Sequence, residues 1–512
     1  MSRKSGVILS YVLMILEVLS TLLLTPFIIR TLGQAEYGVY KLVASINAYL
    51  LLLDLGIGNA IIRYVAMYRV EGNKLKERQF VGVSTLFYLG VATLAIMLGC
   101  ILILLFPTVF ANGLSKSQIK LGQLLLCITM LNSAVTLATA AYNNILIAYE
   151  KFAISRVASI IQIIIRIILT YVALLLGWGS VGIVLVNLIM TVIIRGYFAC
   201  YVLWYLKLRP KLKGIQLTFV KEVVKYSSLI LLQMIATQIN SSVDQILIGS
   251  LVQASAVILA VYGVGTQIVQ YFQSIGSSFT GVLMPGIVKL VEKKASPSDL
   301  TNEMIRVGRL VFLVLSLIWC GFLVFGREFI VLWAGADNSE AYFVALILMF
   351  AYVFILSESV GTQILWAMNE HKEQAVLKIV IVLLNIILTI CLILWNPLLG
   401  ATIGTFISLI LGDVVVMNVI FKKKLKLNLL DYYKGLFNGI ISCLFIATIV
   451  AVLVQWCMPQ GWIWLCIKIV IIVTVYAITM LKFGMTPYEK CLCKSLIIKI
   501  FLPGGLRNDR IH

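Results

Sequence analysis

Of 512 residues, 61% are hydrophobic and 12% charged, and the chain carries a formal charge of +20. Soluble proteins average about 25% charged residues, so a water-soluble globule of this length is excluded and lipid is the expected medium. The ten cysteines fall at irregular spacings, mostly inside apolar runs, which speaks against a disulfide framework or a metal cage; Cys491 and Cys493 in the basic tail read as plain thiols.

A membrane helix needs about 20 mostly apolar residues. On that length the chain divides into fourteen spans, over 7–31, 39–66, 80–106, 119–147, 156–177, 180–205, 224–250, 255–284, 307–333, 341–368, 375–396, 398–421, 435–457 and 462–482. The first follows Arg3 and Lys4 but is too long for a signal peptide, contains Glu17 and has no small-residue cleavage site. Loop signals such as "PTVFANGLS", "LGWGS", "AGADNS" and "MPQG" separate the spans.

Charge sets the expected orientation. With the N-terminus cytoplasmic, every even-numbered connection and both termini collect thirty-two of the 41 basic residues, and the opposite side holds only Lys116 and Lys120. Trp178, Trp333, Trp395, Trp456, Trp462 and Trp464 cluster at the expected outer ends, where an interfacial aromatic belt belongs. The net charge then reflects topology and attraction to anionic membrane lipids, and no nucleic-acid partner is needed to explain it. The tail Tyr488–Phe501 reads as an amphipathic helix lying on that surface.

Sliding the sequence by 219 residues lays Ile145–Thr170 on Ile364–Thr389 without a gap, placing spans four and five on spans ten and eleven. The expected organisation is therefore an N-terminal six-helix lobe over 1–213, a second over 214–427, an appended helix pair over 428–484 and a basic cytoplasmic tail over 485–512. The fold class is an all-α membrane protein.

Polar residues inside the spans mark function or helix pairing. Asp54 and Arg63 are nine residues apart, face opposite sides of an unbroken helix, and must each find a partner elsewhere. Glu17, Asp54, Arg166 and Arg195 share a similar depth near the midplane, with Glu358 and Asp413 comparable in the second lobe. Stripes at helical spacing add Gln233, Thr237, Asn240 and Asp244 in span seven, and Thr266, Gln270, Gln273 and Ser277 in span eight. Span one offers Ser10, Glu17, Thr21 and Thr25; span two offers Tyr40, Asn47 and Asp54. Ion pairs and interhelical hydrogen bonds are the bland explanation. One aqueous cavity shared by these helices is the functional one.

The stretch "LTPFIIRTLGQAEYGVYKLVASINAYLLLLDLGIGNAIIRYVA", Leu24–Ala66, resembles the opening signature of polysaccharide transporters. These are the oligosaccharide flippases of the multidrug/oligosaccharidyl-lipid/polysaccharide (MOP) exporter superfamily. "VDQILIGSLVQASAVILAVYGVGTQI" and "LMPGIVKL" resemble the matching second-lobe motif. The resemblance implies two facing six-helix lobes and a cavity lined by helices 1, 2, 7 and 8. It also implies movement of an undecaprenyl-pyrophosphate-linked oligosaccharide across a bacterial plasma membrane, with a polysaccharide polymerase as a possible partner.

That cargo needs cations, because Arg forks bind phosphate oxygens in bidentate fashion. Arg30, Lys41, Arg63, Arg166 and Arg195 form the expected pyrophosphate-binding pool. Glu17, Asp54 and Asp244 are the candidates for a coupling H⁺ or Na⁺; Asn47, Gln233, Thr237, Asn240, Thr266, Gln270 and Gln273 would meet the sugars. No cofactor and no metal is expected. The alternatives are a drug or metabolite antiporter of the same superfamily and a membrane-embedded glycan polymerase or acyltransferase. The only histidines are His371 and His512, and no GxxxxGK[ST] loop is present, so catalysis and ATP hydrolysis are not expected.

Overall fold

Gly33 divides the first long helix. Its φ of 73° and ψ of 169° lie where only glycine sits without strain, so the helical run Arg3–Leu51 (α1) is two rods joined at one residue. The computed structural model describes residues 3–54, 57–211, 234–235, 237–240, 242–293, 295–368, 370 and 372–491; Gln233, His371, Cys493 and His512 lie outside the described residues.

Every regular element among the described residues is helical, as an apolar medium demands of a backbone that must satisfy its own hydrogen bonds. After α1 come α2 (Ile57–Val70), α3 (Lys74–Val109), α4 (Lys116–Ala138), α5 (Ala140–Ala148), α6 (Phe152–Leu175), α7 (Gly179–Cys200) and α8 (242–251). Then follow α9 (Ala256–Glu292), α10 (Pro297–Ala334), α11 (Ala341–Ser357), α12 (Ser359–Ala367), α13 (Lys372–Ile393), α14 (Pro397–Leu409), α15 (Met417–Ile420), α16 (Leu429–Phe437), α17 (Ile440–Cys457) and α18 (Trp462–Thr479). Side chains cap the starts: Asn73 accepts from the Lys76 amide at 3.1 Å, Ser115 and Gln118 form a reciprocal capping box, and Asn396 caps a helix that opens with Pro397.

Among the described residues, 10 helices are long and apolar enough to cross a membrane, or up to 11 with the pair α11–α12, bent by 43°. The difference from fourteen has identifiable sources. Val12–Asp54 holds the first two expected spans in one run, and much of the seventh falls outside the described residues. The eighth, α9, is diluted by Thr266, Gln267, Gln270 and Gln273 and is not among the ten. The bend between α11 and α12 falls at Glu358, which accepts hydrogen bonds from Tyr433 and from Asn418.

The chain forms two compact units. Unit 1 is Met1–Tyr271, Trp333–Leu348 and Lys372–Asp413; unit 2 is Phe272–Leu332, Met349–His371 and Val414–His512. Both are interleaved in sequence.

In unit 1, α1 packs on α4, α6 and α7, α3 packs on α4, and α13 packs on α14. Helices α2 and α5 meet around Ile57, Ile61, Val65, Tyr88, Ile145 and Leu146. Gly38 lets α1 approach α9 closely: a Cβ there would stand 1.8 Å from the Ala256 carbonyl oxygen. Pro26 lies inside α1 and has no N–H for the carbonyl four residues back, that of Leu22. The Trp333 indole fills the vacancy, donating to the Leu22 oxygen at 2.7 Å, and is 2% exposed. Trp333 is therefore a core residue and not part of the expected aromatic belt. Trp178, Trp395, Trp456, Trp462 and Trp464 are exposed.

Unit 2 is tied by two buried ion pairs. Arg309 of α10 uses all five of its N–H groups: two reach the Glu489 carboxylate at 2.8 and 3.3 Å, and three reach the carbonyls of Gly435, Asn438 and Gly484. Lys468 of α18 donates to Glu328 of α10 at 2.8 Å and to Gln455 of α17 at 3.0 Å. Burial alone would raise the Glu489 pKa, but hydrogen bonds from Arg309 and Thr486 outweigh it and hold the carboxyl below the usual value of 4.5.

Two outcomes follow from these contacts. Trp333→Phe strands the Leu22 carbonyl and lowers stability by about 1–3 kcal/mol, and Pro26→Ala reduces that loss by restoring an N–H; thermal unfolding of the four variants in detergent checks the cycle. Because the folded pKa of Glu489 is depressed, its contribution is present above the unfolded value and fades as pH falls through the folded one. Glu489→Gln should flatten the acid limb of a stability profile measured below about pH 4.5, the ordinary glutamate range.

Candidate functional site

Three adjoining cavities run through unit 1. The first, about 300 Å³, is lined by Lys41 of α1, by Gln238, Ser242 and Gln245 around α8, and by Thr266, Gln267 and Gln270 of α9. The second, about 280 Å³, shares Ala44 with it and is lined by Tyr40, Asn47, Asn132, Gln162, Arg166 and Asn187. The third, about 190 Å³, shares Gln162 and Thr191 with the second and adds Asn143, Ser155, Arg156 and Arg195. Among the described residues, four cations line the three spaces and no acidic side chain does.

Local sequence explains the lining. On α6, Ser155, Ser159, Gln162 and Arg166 recur at steps of four, three and four; on α7, Asn187, Thr191 and Arg195 recur at steps of four. Each set forms one helix face. Arg156 and Arg166 are ten residues apart, about 15 Å along the axis.

Lys41 is held by an uncharged clasp. Its amine donates to Gln267 Oε1 at 2.7 Å and lies 5.4 Å from the Tyr37 ring centroid. The Gln267 amide donates in turn to Thr25 at 2.9 Å and to Tyr271 at 2.6 Å. One glutamine thus joins residues on both sides of the Gly33 break. Asn47 accepts from Ser133 at 2.9 Å, which leaves its NH₂ as a donor. The Asn132 side-chain oxygen is buried and has no hydrogen-bond partner among the described residues.

The other expected site residues distribute as follows. Asp54 accepts from Tyr88 of α3 at 2.7 Å and lies within electrostatic reach of Arg195, so its partners come from other helices as required. Arg63 is exposed, 5.9 Å from the Tyr64 ring centroid; Glu17 and Arg30 are exposed on α1; none of the three is in the lining of these three cavities. Asn240 accepts from Asn385 at 2.7 Å. Asp244, 2% exposed, accepts from the hydroxyls of Tyr262, Thr389 and Thr405 at 2.5, 3.2 and 2.5 Å. The Asn240 and Asp244 face therefore knits helices together, while the neighbouring face, Gln238, Ser242 and Gln245, meets the cavity. Thr237 is exposed, and Gln273 belongs to unit 2.

Gln267, Arg156, Gln162, Asn132 and Asn187 were not singled out from sequence. The four-residue steps on α6 and α7 carry a readable signal for Gln162 and Asn187. Arg156 is concealed at a helix start among loop cations.

The polysaccharide biosynthesis protein family profile matches residues 3–291, more than half of the chain. The chain belongs to this family. Among solved structures, lipid II flippase MurJ in an inward closed conformation matches this family member with a TM-score of 0.72, over 96% of this chain and 99% of its own, at 16% identity. An inward-facing multidrug resistance MATE family transporter of the MOP superfamily gives 0.57 over 80% and 95%, at 15% identity. A MOP superfamily transporter from Pyrococcus furiosus gives 0.53 over 82% and 94%, at 15% identity. No curated protein sequence matches the chain. At these identities the likeness establishes the fold: the polysaccharide biosynthesis family member is a multi-pass helical membrane protein with the fold of these solved transporters.

Asp244→Ala should remove the acceptor shared by three buried hydroxyls, of which Thr389 and Thr405 retain the Asn385 oxygen, and cost about 1–3 kcal/mol. Gln238→Ala, one face over, should cost about 1 kcal/mol or less. Parallel melting curves of the purified variants separate the knitting face from the lining face.

Proposed function

We propose that this protein is a flippase for an undecaprenyl-pyrophosphate-linked oligosaccharide, a repeat unit of a cell-surface polysaccharide, in a bacterial plasma membrane. The observation that carries the proposal is the file of cavities in which Lys41, Arg156 and Arg166 meet amides and hydroxyls, with no carboxylate in the lining among the described residues, while Arg195 also feels Asp54. A pyrophosphate leaving water needs cations that internal carboxylates have not already neutralised. Sugars need donors and acceptors arranged around a wet space, which the Asn, Gln, Ser and Thr side chains supply. The polysaccharide biosynthesis family and the fold shared with the solved transporters support the same reading.

In this mechanism the pyrophosphate exchanges among the cavity cations, the glycan lies along the polar faces of α6, α7 and α9, and the prenyl chain stays in lipid. Fourteen spans with both termini cytoplasmic would present the cavities alternately to the two leaflets. A coupling H⁺ or Na⁺ taken up by Asp54, Glu17 or Asp244 would bias that exchange. Lys41 is the first contact to change, since an incoming phosphate outcompetes the neutral Gln267 oxygen for its amine. The chain itself performs no covalent chemistry. A polymerase that consumes the outward-delivered unit is the expected partner.

The test is accumulation of the cargo. Lys41→Ala or Arg166→Ala should lower outward delivery of the lipid-linked unit by about tenfold or more at unchanged protein level, as loss of a charge-assisted contact predicts. The cargo should accumulate on the inner leaflet. Arg63→Ala should have a much smaller effect. Normal delivery in both cavity variants, together with altered sensitivity to cationic drugs, would replace the flippase by a drug antiporter.

A further inference from the structure

The middle cavity differs in composition from its neighbours. Arg166 stands there among four carboxamides, Asn47, Asn132, Gln162 and Asn187, with the Tyr40 ring on one side. Carboxamides pair with vicinal sugar hydroxyls, and an aromatic ring covers the apolar face of a pyranose. One guanidinium inside this carboxamide lining is more than a neutral hexose requires.

We infer that this cavity receives an acidic sugar of the cargo, a hexuronic-acid-type residue whose carboxylate sits on the Arg166 fork. The inference rests on the flippase proposal and names the cargo's class within it. Two observations favour a carboxylate here over the pyrophosphate. Lys41 lies in the adjoining cavity and offers a separate cation to a phosphate. Arg156 and Arg195 line the cavity on the other side. A single pyrophosphate does not extend across all three spaces, so cations in file suit a cargo whose negative charge is distributed along the glycan.

The internal repeat shows that the charge is not a requirement of the fold. The position 219 residues beyond Arg166 is Asn385. It donates to Asn240 and accepts from Thr389 and Thr405, so this slot is occupied by a neutral amide satisfied within the protein. The same register position carries a cavity-lining guanidinium in the first copy. A bidentate fork also discriminates, because Arg matches carboxylate geometry with two parallel hydrogen bonds.

The full chain is reconstituted in phosphatidylethanolamine–phosphatidylglycerol vesicles under an imposed proton or sodium gradient. Two cargoes are offered: a polyprenyl-pyrophosphate disaccharide ending in a hexuronic acid, and its carboxyl-reduced twin ending in the neutral hexose. Appearance of each on the far leaflet is read with a membrane-impermeant glycosidase. The acidic cargo should cross roughly tenfold faster or more, as expected for a charge-assisted pair. Arg166→Gln should shrink the preference by slowing the acidic cargo severalfold more than its neutral twin, and Arg166→Lys should restore part of it. Equal rates in the unaltered protein overturn the inference and leave the flippase standing. An Arg166→Gln loss that falls equally on both cargoes also overturns it, assigning Arg166 to the pyrophosphate. Failure of both cargoes to cross overturns the flippase proposal and this inference together. The comparison in the unaltered protein decides the matter even where a variant fails to fold.

Discussion

Removing a charged side chain from water costs several kcal/mol unless an opposite charge or retained water compensates it, and the molecule meets this constraint in two ways. In unit 2 the compensation is internal: Arg309 faces Glu489, and Lys468 faces Glu328, both pairs almost fully buried. In unit 1, Lys41, Arg156 and Arg166 line open space with no carboxylate in the lining among the described residues. The first arrangement holds helices together. The second leaves positive potential directed into cavities, which is what an anionic passenger encounters.

Helix pairing and passenger handling are therefore separated by residue, and often by one helix face. Asp244 satisfies three hydroxyls from α9, α13 and α14 and is a joint. Gln245, its neighbour in sequence, lines the cavity. Gln267 combines the two roles, holding a cavity cation with its oxygen and a helix hydroxyl with its nitrogen.

The all-helical fold was legible in the sequence because lipid permits few alternatives: long apolar runs punctuated by caps and turn residues can only become helices. Arg166, Arg195, Lys41 and Asn47 were legible as polar residues at depth, and all four line cavities. The stripe rule chose Thr237, Asn240 and Asp244, because periodicity identifies a face without saying what it meets. The adjacent face had an equally regular pattern. Trp333 illustrates the same limit from another side: its place at the end of a span suggests the interface, while its actual partner is a carbonyl freed by a proline some three hundred residues earlier. Nothing local in either segment links the two.

The Lys468–Glu328 contact bears on how the chain is put together. Glu328 is synthesised long before Lys468, so a growing chain holds this carboxylate before the cation that faces it exists. Until α18 arrives, that acid must stay protonated, remain near the translocation channel or draw water inward. The last helices to emerge thus discharge a debt incurred by α10, and biogenesis is completed by a late arrival rather than finished span by span.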